Sequence, residues 1–199
     1  MRLAGLSKGD RTYIKIDGKL YSAEYLGRGK FSKVFKVGNR AVYYTQGDCG
    51  KEVLAMFQRK RVMHLPEIVR HDDVEVRGKY YYVFSSPIYR NVTRKDRSAY
   101  ESMMMIINLY GRFWDKLVNE VGLVAFNEMT GAEIMERFVE YVRKIPIVPR
   151  SIVQALEELV NVAINCGGDV VFDFHRRNFG VNEYGTLIFR DPIASEQKD

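Results

Sequence analysis

Toward the end of the chain, Asp173-Phe174-His175-Arg176-Arg177-Asn178 is followed by a short hairpin pattern and then by Arg190-Asp191-Pro192. Asp173 and Asn178 stand five residues apart on one loop, and the hairpin returns Asp191 beside them. That places a base and two oxygen ligands in one small volume. Phosphoryl transfer asks for little more: a carboxylate to orient the attacking hydroxyl, and Mg²⁺ held by carboxylate and amide oxygens to neutralise phosphate charge. Each residue also has a plainer reading. Asn178 fits the cap of a turn, and Asp191 before Pro192 fits an ordinary turn residue. The three together, in this order, favour the chemical reading.

A second motif, Gly27-Arg28-Gly29-Lys30-Phe31-Ser32-Lys33-Val34-Phe35, lies between two predicted strands. Glycines let a backbone approach phosphate oxygens and present N–H donors to them. The strand-turn-strand setting is not that of a Rossmann fingerprint, which opens a helix, and the Gly-Lys-Ser/Thr ending of a P-loop is missing. By itself the pattern is better explained as a plain hairpin turn.

The elements that must position these motifs fall into two groups. Residues 13–21 read as a hairpin around Asp17-Gly18. Strands follow at 21–26, 34–37 and 41–44, then a helical pattern over 50–63 with Val53, Leu54, Phe57 and Arg61 on one side. Two more strands, 68–76 and 80–84, complete a β-rich part. After Ser85-Ser86-Pro87 the character changes. Residues 98–116 are helical, with Met103, Ile106, Ile107, Tyr110 and Trp114 on the apolar side. Met103-Met104-Met105 reads as core filling, not as a cofactor box. Thr130-Gly131-Ala132-Glu133 fits a capping box. Pro149 opens a last helix, which Gly167-Gly168 ends. The expectation is an α+β chain of two lobes sharing a ligand cleft, a β-rich lobe over 1–86 and a helical lobe over 87–199.

Bulk properties exclude more than they identify. The 199 residues are 46% apolar and 28% charged, ordinary for a globular chain. No run approaches the roughly 20 apolar residues of a membrane span, and the first residues lack a signal-peptide pattern, so the expected location is cytoplasmic. Cys49 and Cys166 stand in no CxxC pair and read as reduced thiols, neither a disulfide frame nor a zinc site. The net charge of +6 permits nucleic acid, phosphate ligands or an acidic partner. The basic residues are scattered, however, and read mostly as solvated surface. Alternating strand burial explains Tyr80-Tyr81-Tyr82 more simply than nucleic-acid stacking does.

With these residues in view, the sequence resembles the protein-kinase superfamily, and most closely the small early serine/threonine kinases of short-tailed bacteriophages. The kinase pattern is a glycine-rich loop, an Ala-x-Lys strand, a helix bearing Glu, an Asp-x-x-x-x-Asn loop and a metal-binding Asp. The phage kinases are similar in their Gly-x-Gly-x-Phe-Ser string, their Asp-x-His-x-x-Asn loop and an Asp-Pro matching Asp191-Pro192. The likeness covers nearly the whole chain in element order, with its sharp motifs confined to 26–35 and 173–192. It implies Asp173 as catalytic base, Asn178 and Asp191 as Mg²⁺ ligands, and His175 inside the loop near the γ-phosphate of ATP. Gly27, Gly29 and Ser32 would cover the phosphates, Val34 and Ala41 would sandwich the adenine, and 85–88, from Ser85 to Ile88, would be the hinge. The implied activity is transfer of the ATP γ-phosphate to host proteins, the transcription machinery among them.

Two departures qualify this. Tyr43 occupies the lysine slot of the Ala-x-Lys strand, and a neutral phenol neither binds phosphate as a cation nor pairs with Glu52. Strand alternation offers Lys36 as a substitute, on the same side as Val34, while Lys33 faces the other way. Eight residues follow Asp191, too few for the peptide-binding segment of ordinary kinases, so a protein substrate would dock elsewhere, for instance on 91–148. Both departures suit an alternative, a pseudokinase-like binding protein that inhibits or redirects a host protein.

Overall fold

Asp17-Gly18 and Arg77-Gly78 both carry positive φ at the two central positions, 46° and 77° in the first, 53° and 74° in the second. This is the mirror-image turn whose twist matches that of the strands it joins. In the computed structural model, which describes residues 5–29, 32–47, 49–57, 61–167 and 170–195, these turns close two hairpins. They are β1 (Arg11–Ile16) with β2 (Lys19–Arg28), and β5 (Val69–Val76) with β6 (Lys79–Pro87). Between them run β3 (Ser32–Val37), β4 (Arg40–Thr45) and the helix α1 (Cys49–Phe57). The strands form one antiparallel sheet in the order β1-β2-β3-β4-β6-β5.

One face of the sheet buries Ile14, Tyr25, Phe35, Val42, Tyr44 and Val83 as a continuous core. The sheet curls around it. Tyr44 of β4 reaches β1, where its hydroxyl accepts the Lys15 N–H at 2.9 Å and donates to the Lys15 carbonyl. Burial pushes this phenol up to about 12. The outer strands β1 and β5 meet, and the Asp17 carboxylate accepts the Asp72 N–H at 2.9 Å and lies 2.7 Å from His71 Nδ1. The Asp72 N–H and then His71 hold the Asp17 carboxyl below its ordinary value. The tyrosine run alternates, with Tyr80 71%, Tyr81 8% and Tyr82 40% exposed, as half-buried strand packing requires.

Two expectations for this part change. The helix over 50–63 is shorter: residues 61–66 are not helical, so Arg61 does not continue the α1 stripe. Neither Cys49 nor Cys166, expected as reduced thiols, is a free cysteine.

The chain divides into two compact units, Met1–Arg59 with Glu67–Ile88, and Lys60–Pro66 with Tyr89–Asp199. In the second, β7 (Arg90–Asn91) precedes three helices, α2 (Arg97–Glu128), α3 (Gly131–Arg143) and α4 (Arg150–Asn165). The helix expected over 98–116 extends to Glu128, bending at Gly122, whose φ of 78° is open to glycine but strained for other residues. The capping box forms as read: Thr130 Oγ1 accepts the Glu133 N–H at 3.2 Å, and Glu133 accepts the Thr130 N–H at 2.7 Å. Gly131 lets α3 press on β8 (Val170–Phe172), since a Cβ there would lie 2.2 Å from the Val170 carbonyl oxygen. β8 pairs with β11 (Ile193–Ser195), while β9 (Phe179–Val181) pairs with β10 (Leu187–Phe189) and β7. Gly168, expected to end α4, and Lys30 and Phe31 of the glycine motif lie outside the described residues. Among the described residues no helix is long and apolar enough to cross a membrane.

Candidate functional site

Buried apolar residues adjoin each of Asp173, Asn178 and Asp191 in the chain. Phe172 and Phe174 flank Asp173, both buried, their rings stacked at 4.5 Å and 17°. Tyr110 of α2 and Phe138 of α3 pack their rings against both. Phe179 follows Asn178 and Phe189 precedes Arg190, the two rings edge to face at 5.5 Å. Pro192, buried, follows Asp191. Asp173 is thus held on both sides, and Asn178 and Asp191 each on one, by a neighbour locked in the core.

Backbone bonds then tie the three candidates together. The Asp173 N–H donates to the Pro192 carbonyl at 2.8 Å, and a one-turn 3-10 helix (Arg176–Asn178) carries Asn178 back toward Asp173. Asn178 Nδ2 donates to the Asp173 carbonyl at 2.9 Å. The Asn178 carbonyl in turn accepts the N–H groups of Arg190 at 2.7 Å and Asp191 at 3.3 Å. Arg190 fixes the hairpin through the carbonyls of Tyr89 and Arg177 and the Asn91 side chain. The structure therefore brings Asp173, Asn178 and Asp191 together as their spacing suggested.

The Asp173 side chain is 36% exposed, and one of its oxygens lies 3.4 Å from His175 Nε2. His175 thus sits beside the candidate base, its own side chain 57% exposed. A carbonyl only accepts, so the Asp173 oxygen must face the Asn178 amide nitrogen, and Asn178 Oδ1 becomes the end turned from that bond. An amide oxygen and the Asp191 carboxylate are the donors Mg²⁺ takes. Among the described residues no group of three or more His, Cys, Asp or Glu could hold a metal. Mg²⁺ in phosphoryl-transfer sites takes one or two protein oxygens and fills its remaining positions with phosphate and water, so this donor set fits it.

In the sheet unit, register decides which candidates share a surface. Val34 pairs with Tyr43, Lys36 with Ala41, and Ala41 with Ser86. These side chains stand on the face opposite the Phe35–Val42–Tyr44 core. Lys36 thus lies on the Val34 side, as strand alternation implies, and is exposed. Lys33 lies on the other face, its ammonium pKa lowered by burial first and then by Lys79 and Arg28. Ser85 is on that other face too: its hydroxyl meets His71 Nε2 at 2.8 Å and accepts from Arg40 Nε at 3.1 Å. Of the hinge residues it is Ser86 whose side chain joins Ala41. The Ile88 N–H is engaged by the Asn39 carbonyl at 3.2 Å.

The glycine motif is a bulged hairpin. Tyr25 and Gly27 oppose the consecutive Phe35 and Val34, leaving Leu26 as the extra residue, with Gly27 at a φ of 145°. The Gly29 N–H closes the turn onto the Ser32 carbonyl at 2.8 Å. One of the donors that the motif offers a phosphate is therefore engaged within the loop.

Tyr43 is anchored at its tip. The Ser86 hydroxyl gives its one proton to the Pro87 carbonyl, so at 3.1 Å the Tyr43 hydroxyl is the donor to Ser86. Above the ring lies Lys51 of α1, its Nζ 5.1 Å from the centroid. Sequence reasoning passed over Lys51 because its position depends on how α1 lies on the sheet. The signal was only its place beside Glu52.

No family model matches the chain, and no curated protein and no solved structure matches it.

Proposed function

We propose that this protein is a serine/threonine protein kinase of the early bacteriophage type, acting in the bacterial cytoplasm on host proteins, the transcription machinery among them. The observation that carries this is the bonding of Asn178 to both partners: its amide nitrogen to the Asp173 carbonyl, and its own carbonyl to the Asp191 N–H. These bonds hold the backbones of Asp173 and Asp191 to one and the same asparagine. Asp173 accepts the proton of the attacking hydroxyl and orients its oxygen; Asn178 Oδ1 and the Asp191 carboxylate hold Mg²⁺, which neutralises phosphate charge when bound. On this reading His175, 3.4 Å from the Asp173 carboxylate, would meet the transferred phosphoryl group. Further support comes from element order: a glycine hairpin, the Ala41 strand and a helix bearing Glu52 precede the Asp173 loop.

A second reading has its own observation. Tyr43 fills the lysine slot with its hydroxyl engaged by Ser86, which suits a kinase-like binding protein without turnover. The full chain incubated with labelled ATP, Mg²⁺ and bacterial lysate separates the two. Label should pass to lysate proteins, and Asp173→Ala should lower that rate by about 10²–10⁴-fold. Nucleotide binding without transfer would favour the second reading, and neither binding nor transfer would sink both.

A further inference from the structure

We infer that the substrate of this site presents acidic side chains beside its acceptor hydroxyl, and that Arg176 and Arg177 recognise them. The inference rests on the kinase-like reading and deepens it by naming the class of substrate. Both arginines stand on the 3-10 turn that links the candidate base Asp173 to Asn178. A turn of this kind sends successive side chains out about a third of a circle apart. Asn178 takes the inward direction, toward the Asp173 carbonyl at 2.9 Å. Arg176 and Arg177 take the other two and are exposed.

The backbone of this turn is held, while the two charges are not. The His175 carbonyl accepts the Asn178 N–H at 2.9 Å, the Arg176 carbonyl accepts the Phe179 N–H, and the Arg177 carbonyl accepts from the Arg190 guanidinium. Arg190 is thereby engaged with Tyr89, Asn91 and Arg177. The guanidinium groups of Arg176 and Arg177 meet no carboxylate and no hydrogen-bond acceptor among the described residues. They flank the Asp173 carboxylate, itself 36% exposed, from the same short loop. On the kinase-like reading Asp173 serves the hydroxyl and Asp191 the Mg²⁺, which leaves the arginines to the residues on either side of that hydroxyl. A guanidinium presents paired N–H groups that match the two oxygens of a carboxylate. A basic segment would meet like charge at this turn, and charge matching of this kind decides the choice of partner more than raw affinity.

Treating bacterial lysate with the full chain and Mg-ATP, then mapping the phosphorylated residues by mass spectrometry, tests this. Serine and threonine residues flanked by Asp or Glu should be labelled about 3- to 30-fold more readily than those with neutral flanks, and the lead should shrink as salt is raised. Arg176→Ala combined with Arg177→Ala should bring that ratio close to one. Arg176→Glu combined with Arg177→Glu should turn the preference toward sites with basic flanks, a reversal that a merely structural role would not produce. Equal labelling of acidic and neutral sites by wild type overturns the inference. So does a double alanine variant that keeps the acidic preference, or one whose deficit disappears when ATP is raised. If wild type transfers phosphate without favouring acidic sites, only this inference falls; if it transfers none, the kinase-like reading falls and this inference with it.

Discussion

In the second unit, Asp173, Asn178 and Asp191 are set between buried rings and a buried proline, so the hydrophobic core itself aims the polar groups. In the first unit, Val34, Ala41, Tyr43 and Ser86 lie on the sheet face away from the continuous core, and one cation beside them, Lys51, comes from a separate helix. One arrangement is specified by local sequence, with each polar residue adjacent to its own anchor. The other is assembled by register and by the packing of α1. Groups of the first kind tolerate little change in the core; groups of the second kind depend on strand register and on how α1 packs.

The sharpest way to break this contrast is to cut the anchor. Phe174→Ala removes a ring packed on Tyr110, Phe138, Phe172, Phe179 and Phe189, and should cost about 3–5 kcal/mol in urea unfolding. A cost below about 1 kcal/mol would show that the core does not hold Asp173.

Acid offers a second probe, through His64. This residue is buried in the second unit, with Nδ1 2.8 Å from the Leu187 carbonyl, Nε2 3.0 Å from the Ser151 hydroxyl, and its own carbonyl accepting the Phe189 N–H. The carbonyl requires a proton on Nδ1, so in the neutral ring Nε2 accepts from Ser151. Burial lowers the His64 pKa from 6.5, with the Leu187 carbonyl partly opposing. Below that ordinary value the unfolded chain takes a proton that the folded one refuses, so stability falls as pH drops from 6.5 toward the lower folded pKa. Urea midpoints between pH 7 and pH 5 should show this loss. His64→Asn, which tolerates the φ of 74°, should be less stable at pH 7 and show a flatter slope.

The smallest effect concerns the helix start that supports β8. Thr130→Ala leaves the Glu133 N–H without its cap and should cost about 1 kcal/mol by the same unfolding measurement. No measurable change would mean that the packing of Gly131 on Val170 alone holds this junction.

The parts of the fold that sequence made legible are those set by neighbours in the chain. Asp17-Gly18, the Thr130–Glu133 box, the helix after Pro149 and the hairpin between Asn178 and Asp191 all read from residues within a few positions of one another. The Asp173–Asn178–Asp191 grouping was legible for the same reason. What escaped depends on distant partners. Nothing local ends the α1 pattern before Arg61, carries α2 past Gly122, or turns the Ser85 side chain away from Ala41 toward His71 and Arg40. Lys51 was overlooked on those grounds, since only the placement of α1 over β4 gives its charge a setting.

The meeting of β1 and β5 at Asp17 also bears on behaviour at high protein concentration. An open six-stranded sheet offers two rows of unpaired peptide groups, each a template on which another molecule can add a strand. Here the two outer strands turn toward one another, and Asp17 engages the Asp72 N–H and His71 on the far strand. With its two outer strands held to one another, and with α1 in contact with β5, the unit offers less open edge for strand addition by another molecule.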